Sequence, residues 1–403
     1  MTQLLIETVE DVRADPVLRP RSWDRPMDST SEAACRLIFY LLVAQAIFVS
    51  MWSLVAQTGP IFVQRFFFGL DFADFYRAAS DWLHGTNPYL RFRFFTPPPS
   101  LLVGTAFSWI PFETAKYLLF ALNLGIILAS VRAVARKLDL SKRCRDYLTG
   151  IALLFYPVYF LVERGNLEGL VLGCLCWAFC TENETRRGAL VGLAGGLKLY
   201  PLLLVAPAIL KRQWRFVLGA LVTFSVLMLL FYPLPHAFLQ SVARRGSIFQ
   251  QIENISPAGV IVGLFGPTFG RWLYMVCWTG TFVVALRRLG QRKEPATILP
   301  FLPWMVAFPA QVFPYGGVLL LPVLAWKLRE MQESGVRSAD KVFLCGFLLL
   351  GVQAWALTGY FPNVTTSHPV FHLANSLGMC LILCSLAMPE TLVGLKRSAQ
   401  ANA

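Results

Sequence analysis

A few polar and ionisable side chains stand out in an otherwise apolar chain, and each group could do a definable chemistry. The first is Gly69-Leu70-Asp71-Phe72-Ala73-Asp74-Phe75-Tyr76-Arg77, followed by Asp81, Gly85-Thr86-Asn87-Pro88-Tyr89 and Phe95-Thr96-Pro97-Pro98-Pro99. If a helix begins after Asp71, its carboxylate sits at the positive N-terminus, where it either caps the helix or serves as a base; Asp74 then caps or lies one turn on. The second group, Glu163-Arg164-Gly165-Asn166-Leu167-Glu168, puts three charges in a tight turn between apolar runs, with Glu168 at the start of the second run. Such a turn is either ordinary loop solvation or a site. The third is Lys198, the only charge between Gly188 and Leu210, inside Gly195-Gly196-Leu197-Lys198-Leu199-Tyr200-Pro201. An ammonium beside backbone N–H groups freed by such a break suits an anion such as phosphate. Arg244-Arg245 could also meet phosphate, or form a solvated loop pair.

Other chemistries find little support. The four histidines (84, 236, 368, 372) lack metal-ligand spacing, since the i,i+4 pair His368 and His372 has neither an acidic partner nor a third ligand. Cys174, Cys176 and Cys180 read as small apolar packing residues, because i and i+2 point to different sides of a helix. The nine cysteines (35, 144, 174, 176, 180, 277, 345, 380 and 384) fall in apolar runs or on their basic side, which argues against a disulfide framework. No nucleotide-binding loop or nucleophile elbow appears, and no metal or other cofactor is expected.

The elements that position these groups follow from composition. Hydrophobic residues make up 56% and charged residues 15% of the 403, where soluble domains carry about 25% charge. Apolar runs near twenty residues recur from Ala33 to Met388, so the chain reads as an all-α, polytopic membrane protein with about 10–12 membrane helices. Residues 1–32, with seven acids and four arginines, form a polar leader without secretory-signal character; 33–388 form one membrane domain; 389–403 form a tail. The first run, 33–57, stays as an anchor. Further helices are expected at 114–135, 147–162, 167–181, 188–210, 216–233, 271–287, 296–313, 314–326, 342–358 and 371–388.

The net charge of +13 is an orientation signal rather than a nucleic-acid footprint. Basic patches at 132–145, 186–187, 211–215, 287–293, 327–341 and 396–397 all fit the cytoplasm, with both termini, if 188–210 enters and returns as a broken hairpin. Stretches 58–113, 234–270 and 359–370 then face outward. The first contains two short helix-like pieces, 72–84 and 100–110, expected along the membrane interface.

The succession of motifs resembles glycosyltransferase family 87, polytopic enzymes of the GT-C type that include polyprenyl-phosphate-mannose-dependent mannosyltransferases. The resemblance rests on Asp71, Phe75-Tyr76, Ala78-Ala79, Gly85-Thr86-Asn87-Pro88-Tyr89 and Phe95-Thr96-Pro97-Pro98, then Gly165-Asn166, then Gly192 to Pro201 with Lys211-Arg212-Gln213-Trp214-Arg215 after it. These run from about 69 to 215; beyond 230 the likeness is mainly hydropathy. Two departures stand out. The usual Tyr-Pro-Pro is Thr96-Pro97-Pro98, and a late stretch that ends in His-His in many relatives reads Phe308-Pro309-Ala310-Gln311-Val312-Phe313-Pro314-Tyr315-Gly316-Gly317, with no His.

The resemblance implies transfer of a hexose, most commonly mannose, from a polyprenyl-phosphate donor to a glycan or glycolipid hydroxyl at the outer face of the membrane, a bacterial cytoplasmic membrane by analogy. It makes Asp71 the general base, with Asp74 as the alternative. Lys198 and Arg164, with Arg244 and Arg245 in reserve, are the expected phosphate-holding cations, and Tyr76, Asn166, Glu168 and Tyr89 the expected binders of sugar or acceptor hydroxyls. A single-base displacement predicts inversion. The rival is a transporter or lipid flippase using Glu168 and Lys198. The sequons at Asn254 and Asn363 would matter only in a eukaryotic secretory membrane.

Overall fold

The structure is a computed structural model that describes residues 29–55, 69–90, 94–245, 256–291, 298–307, 312–351 and 370–388. Most of the expected leader, the C-terminal tail, the third outward stretch up to 369, both sequon asparagines, His368 and residues 308–311 lie outside the described residues. So do the side chains of Arg244, Arg245 and His372.

Among the described residues the regular structure is helical throughout. The chain runs through α1 (Ser29–Val55), α2 (Leu70–Leu83), α3 (Leu101–Phe107), α4 (Phe112–Lys137), α5 (Lys142–Leu154), α6 (Tyr156–Arg164), α7 (Glu168–Cys180) and α8 (Glu184–Leu197). It continues with α9 (Val205–Leu210), α10 (Trp214–Leu230), α11 (Leu234–Arg245), α12 (Pro257–Phe265), α13 (Pro267–Gln291), α14 (Ile298–Ala307), α15 (Leu321–Ser334), α16 (Ser338–Gly351) and α17 (Val370–Ala387). One continuous apolar core joins all of these except α12, from Cys35 on α1 to Ile382 on α17. Large apolar side chains are also turned outward, among them Leu218 on α10 and Trp272 and Val276 on α13, as a lipid-facing surface requires.

Among the described residues three helices are long and apolar enough to cross a membrane, within α1, α4 and α13, and two bent pairs, α5 with α6 and α10 with α11, reach the same apolar length together. The expected single helix over 147–162 is broken at Phe155, where the chain bends by 51°. Pro157 is the reason: in a continuous helix it would have no N–H to donate to the Leu153 carbonyl, and its ring would clash with that carbonyl. The expected 216–233 helix ends at Leu230, and α11 turns off by 99°. The stretch 234–270, read as an outward loop, therefore contains α11 and α12. Helix α11 packs over the Pro88–Leu90 turn, with Phe238 against Tyr89 at 5.8 Å between ring centres. These breaks explain why so few apolar runs become full-length straight spans.

The Gly188–Leu210 stretch is broken as expected, with the helix continuing through Gly195-Gly196 and stopping at Lys198. Glycines permit a close seam between α8 and α10: a Cβ on Gly188 would strike the Phe216 carbonyl, one on Gly192 the Ala220 carbonyl and one on Gly219 the Thr185 carbonyl. Further along, Gly196 faces Leu227. Residue numbers rise together along both helices, so α8 and α10 run parallel. The segment 199–213, a 3-10 turn at Tyr200–Leu204 followed by α9, must therefore carry the chain back to its starting end.

Chain direction separates two ends of the assembly. At one, the last turn of α4 carries Arg136 and Lys137; Lys137 pairs with Glu182 just past α7 at 2.9 Å, and Asn183 caps α8 by accepting from the Arg186 N–H. At the other end lie the start of α7, the C-terminal ends of α6 and α8, and the start of α2.

Candidate active site

Residues distant in sequence meet at that second end. Helix α6 stops at Gly165, whose φ of +69° is the left-handed conformation that favours glycine, and a Cβ there would sit 2.8 Å from the Cβ of Phe72. The close approach brings the 165–167 turn against the first turn of α2. The backbone N–H of Gly69 donates to the Glu163 carbonyl at 2.7 Å, which fixes the same contact from the other side.

Asp71 does not cap its helix. Gly69 occupies the cap position with no side-chain bond, and Asp71 lies within the first turn. Its Oδ2 accepts from the side-chain amide of Asn166 at 2.7 Å. The orientation of that amide is set by its own partners: Asn166 Oδ1 accepts from the Leu167 N–H at 2.7 Å, so the NH2 must face Asp71. The Asn166 carbonyl accepts in turn from Asn123 Nδ2 of α4 at 3.0 Å. Burial raises the Asp71 pKa, while the Asn166 bond and the charges of Arg164 and Lys198 pull against that rise; the net effect is upward.

Glu168 opens α7 and is buried. Its Oε2 accepts from the Tyr200 hydroxyl, and its Oε1 faces Lys198 Nζ at 3.6 Å. Lys198 also lies over the Tyr315 ring, 5.6 Å from its centre. Tyr315 stacks on Phe160 at 5.9 Å, and the Arg164 guanidinium lies over Phe160 at 5.0 Å. Asp71, Arg164, Asn166, Glu168 and Lys198 are thus gathered in one neighbourhood, although the sequence spreads them over three segments.

Tyr76 and Tyr89 are engaged with other segments. The Tyr76 hydroxyl donates to the Ile110 carbonyl at 2.8 Å while its ring packs on Phe72 and Phe112, so it ties α2 to the segment entering α4. Tyr89 is buried, donates to the Thr96 carbonyl at 2.8 Å and packs between Phe94 and Phe238, which makes it a brace. Both oxygens of Glu168 meet partners within the protein, and the Asn166 amide meets Asp71 and the Leu167 N–H. Asp74 lies one turn beyond Asp71 on α2, and the Asn166 amide goes to Asp71. Arg244 and Arg245 end α11.

Three participants escaped sequence reasoning. Asn123, Tyr200 and Tyr315 all lie in or beside apolar runs, where a polar side chain carries no signal of its own without a partner in view.

Beside the cluster runs an apolar groove of about 620 Å³ between α4, α7 and α8, lined by Pro99, Gly125, Leu170, Gly173, Trp177 and Leu197. Leu197 adjoins Lys198, and Leu170 lies in the same first turn of α7 as Glu168, so the groove reaches the end of the bundle at which the charged groups gather.

The helix ends of this all-α polytopic membrane protein thus gather a carboxylate and two cations, and an apolar groove reaches the same end. A model of glycosyltransferase family 87 matches residues 94–350, well over half the chain and far past residue 230, where only hydropathy had been legible. The chain belongs to glycosyltransferase family 87 and is a membrane glycosyltransferase. No curated protein matches it. Asn166, Glu168, Lys198 and Tyr315 lie within the matched span; Asp71 lies upstream of it and is tied to the site by its bond to Asn166.

Proposed function

We propose that the protein transfers a hexose, mannose by family analogy, from a polyprenyl-phosphate donor to a hydroxyl of a glycan or glycolipid at the outer face of the membrane. The observation that carries this reading is a carboxylate, Asp71, acted on by Arg164 and Lys198 next to an apolar groove. The donor has the matching parts: a sugar to be attacked, an anionic phosphate and an isoprenoid tail.

In this reading Asp71 removes the proton of the acceptor hydroxyl as its oxygen bonds to the anomeric carbon. The bond from that carbon to the phosphate oxygen breaks on the opposite face, and the electron pair leaves with polyprenyl phosphate. Configuration inverts in the single displacement. Charge grows on the leaving phosphate in the transition state, so Lys198 and Arg164 act there more than in the ground state. The raised pKa of Asp71 suits a base that must bind a proton at each turnover.

The Glu168–Lys198 pair is also what a coupling pair in a transporter would look like. Purified protein in detergent separates the two, because no gradient exists there. Transfer of radiolabelled sugar from polyprenyl-phosphate mannose into acceptor lipid, lost in Asp71→Asn, is the expected result. Full activity in Asp71→Asn would remove the base assignment, and the same activity in Asp71→Asn with its loss in Asp74→Asn would move that role to Asp74.

A further inference from the structure

Lys198 is held by two competing attractions. Glu168 draws its ammonium from one side, and the Tyr315 ring face draws it from another. At 3.6 Å the ion pair is longer than the roughly 2.7–2.9 Å of a charge-assisted hydrogen bond. The ring does not move freely to follow the lysine. It stacks on Phe160 at 5.9 Å and packs against Phe313 at 5.4 Å, and Tyr315 lies in the buried 3-10 turn Pro314–Leu320, whose Gly317 abuts Pro157. Tyr200, on the oxygen of Glu168 that does not face Lys198, keeps that carboxylate from swinging round.

We propose that Tyr315 is a positioning residue that holds the Lys198 ammonium off the Glu168 carboxylate, so that its N–H donors stay directed to an anionic phosphate ester. The inference rests on the donor reading given above and deepens it. A lysine ammonium has three donors on a flexible stem and collapses onto the nearest carboxylate if nothing opposes it. Opposed by a fixed ring face, it keeps donors available for a third partner. Remove the ring, and Lys198 closes on Glu168. Remove the carboxylate as well, and the lysine is released again.

That sequence of effects gives the test. Full-length protein is purified in detergent, and its thermal stabilisation is titrated with undecaprenyl phosphate and, separately, with undecaprenol, which shares the tail and lacks the phosphate. The wild type is expected to bind the phosphate form more tightly. Tyr315→Leu should lose roughly 3- to 30-fold of that phosphate-specific preference, the range of a cation–π contact, while undecaprenol binding is unchanged. Tyr315→Phe, which keeps the ring, should behave as wild type, and Tyr315→Leu with Glu168→Gln should recover most of the preference. A general packing role for Tyr315 would not be rescued by a change at Glu168. Should Tyr315→Leu not fold, Glu168→Gln alone decides: it should tighten binding of the phosphate form, and unchanged or weaker binding overturns the proposal. A Tyr315→Leu protein that keeps the full preference, or a double variant without recovery, also overturns it and leaves the donor reading intact. A wild type that does not distinguish the two lipids overturns both.

Discussion

The side-chain amide of Asn166 donates to Asp71 Oδ2 at 2.7 Å, across 95 residues of sequence. Because the amide oxygen is committed to the Leu167 N–H, Asn166 offers Asp71 a donor and nothing else, and the donor favours the ionised carboxylate. Asn166→Ala should lower kcat/KM by roughly 10- to 100-fold, the worth of a hydrogen bond to a charged group. Asn166→Asp should be worse, since a second carboxylate in the same place disfavours ionisation of the first. Steady-state kinetics across pH checks both: the acid limb of kcat/KM should move upward in each variant, further in Asn166→Asp.

The wild type should itself show an acid limb. Burial lifts the Asp71 pKa above its ordinary 3.8, so activity should rise with pH as Asp71 ionises, with a midpoint above that value. The linkage has the opposite sign for stability. A carboxyl whose folded pKa exceeds its unfolded one stabilises the fold at low pH, and that contribution is lost as pH rises through the folded pKa. Asp71→Asn should therefore be inactive at every pH yet melt no lower than wild type at neutral pH. A clear fall in its melting temperature there would contradict the assigned environment of Asp71.

Lys198→Met should raise the donor KM and lower kcat without a comparable change in the acceptor KM. It also strands Glu168, which is buried, so stability should fall by up to about 3–5 kcal/mol. Adding Glu168→Gln should recover much of the stability and none of the donor use. Unchanged donor kinetics in Lys198→Met would take Lys198 out of the site.

Gly165→Ala forces a left-handed backbone on alanine, at a cost of about 1–2 kcal/mol, and presses a Cβ on Phe72. The turn that carries Asn166 must shift. The variant should lose more in kcat than in either KM, and a melting temperature and kcat equal to wild type would show that the turn does not set the position of Asn166.

Much of this arrangement was legible in the residue order. The break at Lys198 could be read because Gly-Gly before it, Pro after it and basic residues at both ends all pointed to a return. The Glu163–Glu168 turn was legible because charges interrupt two apolar runs. Tyr76 and Tyr89 were harder to read, since an aromatic hydroxyl in a polar loop looks the same whether it meets a ligand or a backbone carbonyl. The 99° turn between α10 and α11 was hidden by a hydropathy pattern that continues across it. Asn123 and Tyr315 could not be found from spacing, because their partners lie 43 and 117 residues away in the chain.

The parallel course of α8 and α10 has an electrical consequence. Antiparallel neighbours largely cancel their backbone dipoles, whereas two helices pointing the same way add theirs, and the C-terminal ends of both carry partial negative charge. Lys198 follows the last residue of α8, at that end of the pair. A positive side chain there lowers the field energy of the two helices, a contribution of about 0.3–1 kcal/mol per terminus. The backbone itself thus favours a cation at this point, independently of Glu168 and of any phosphate.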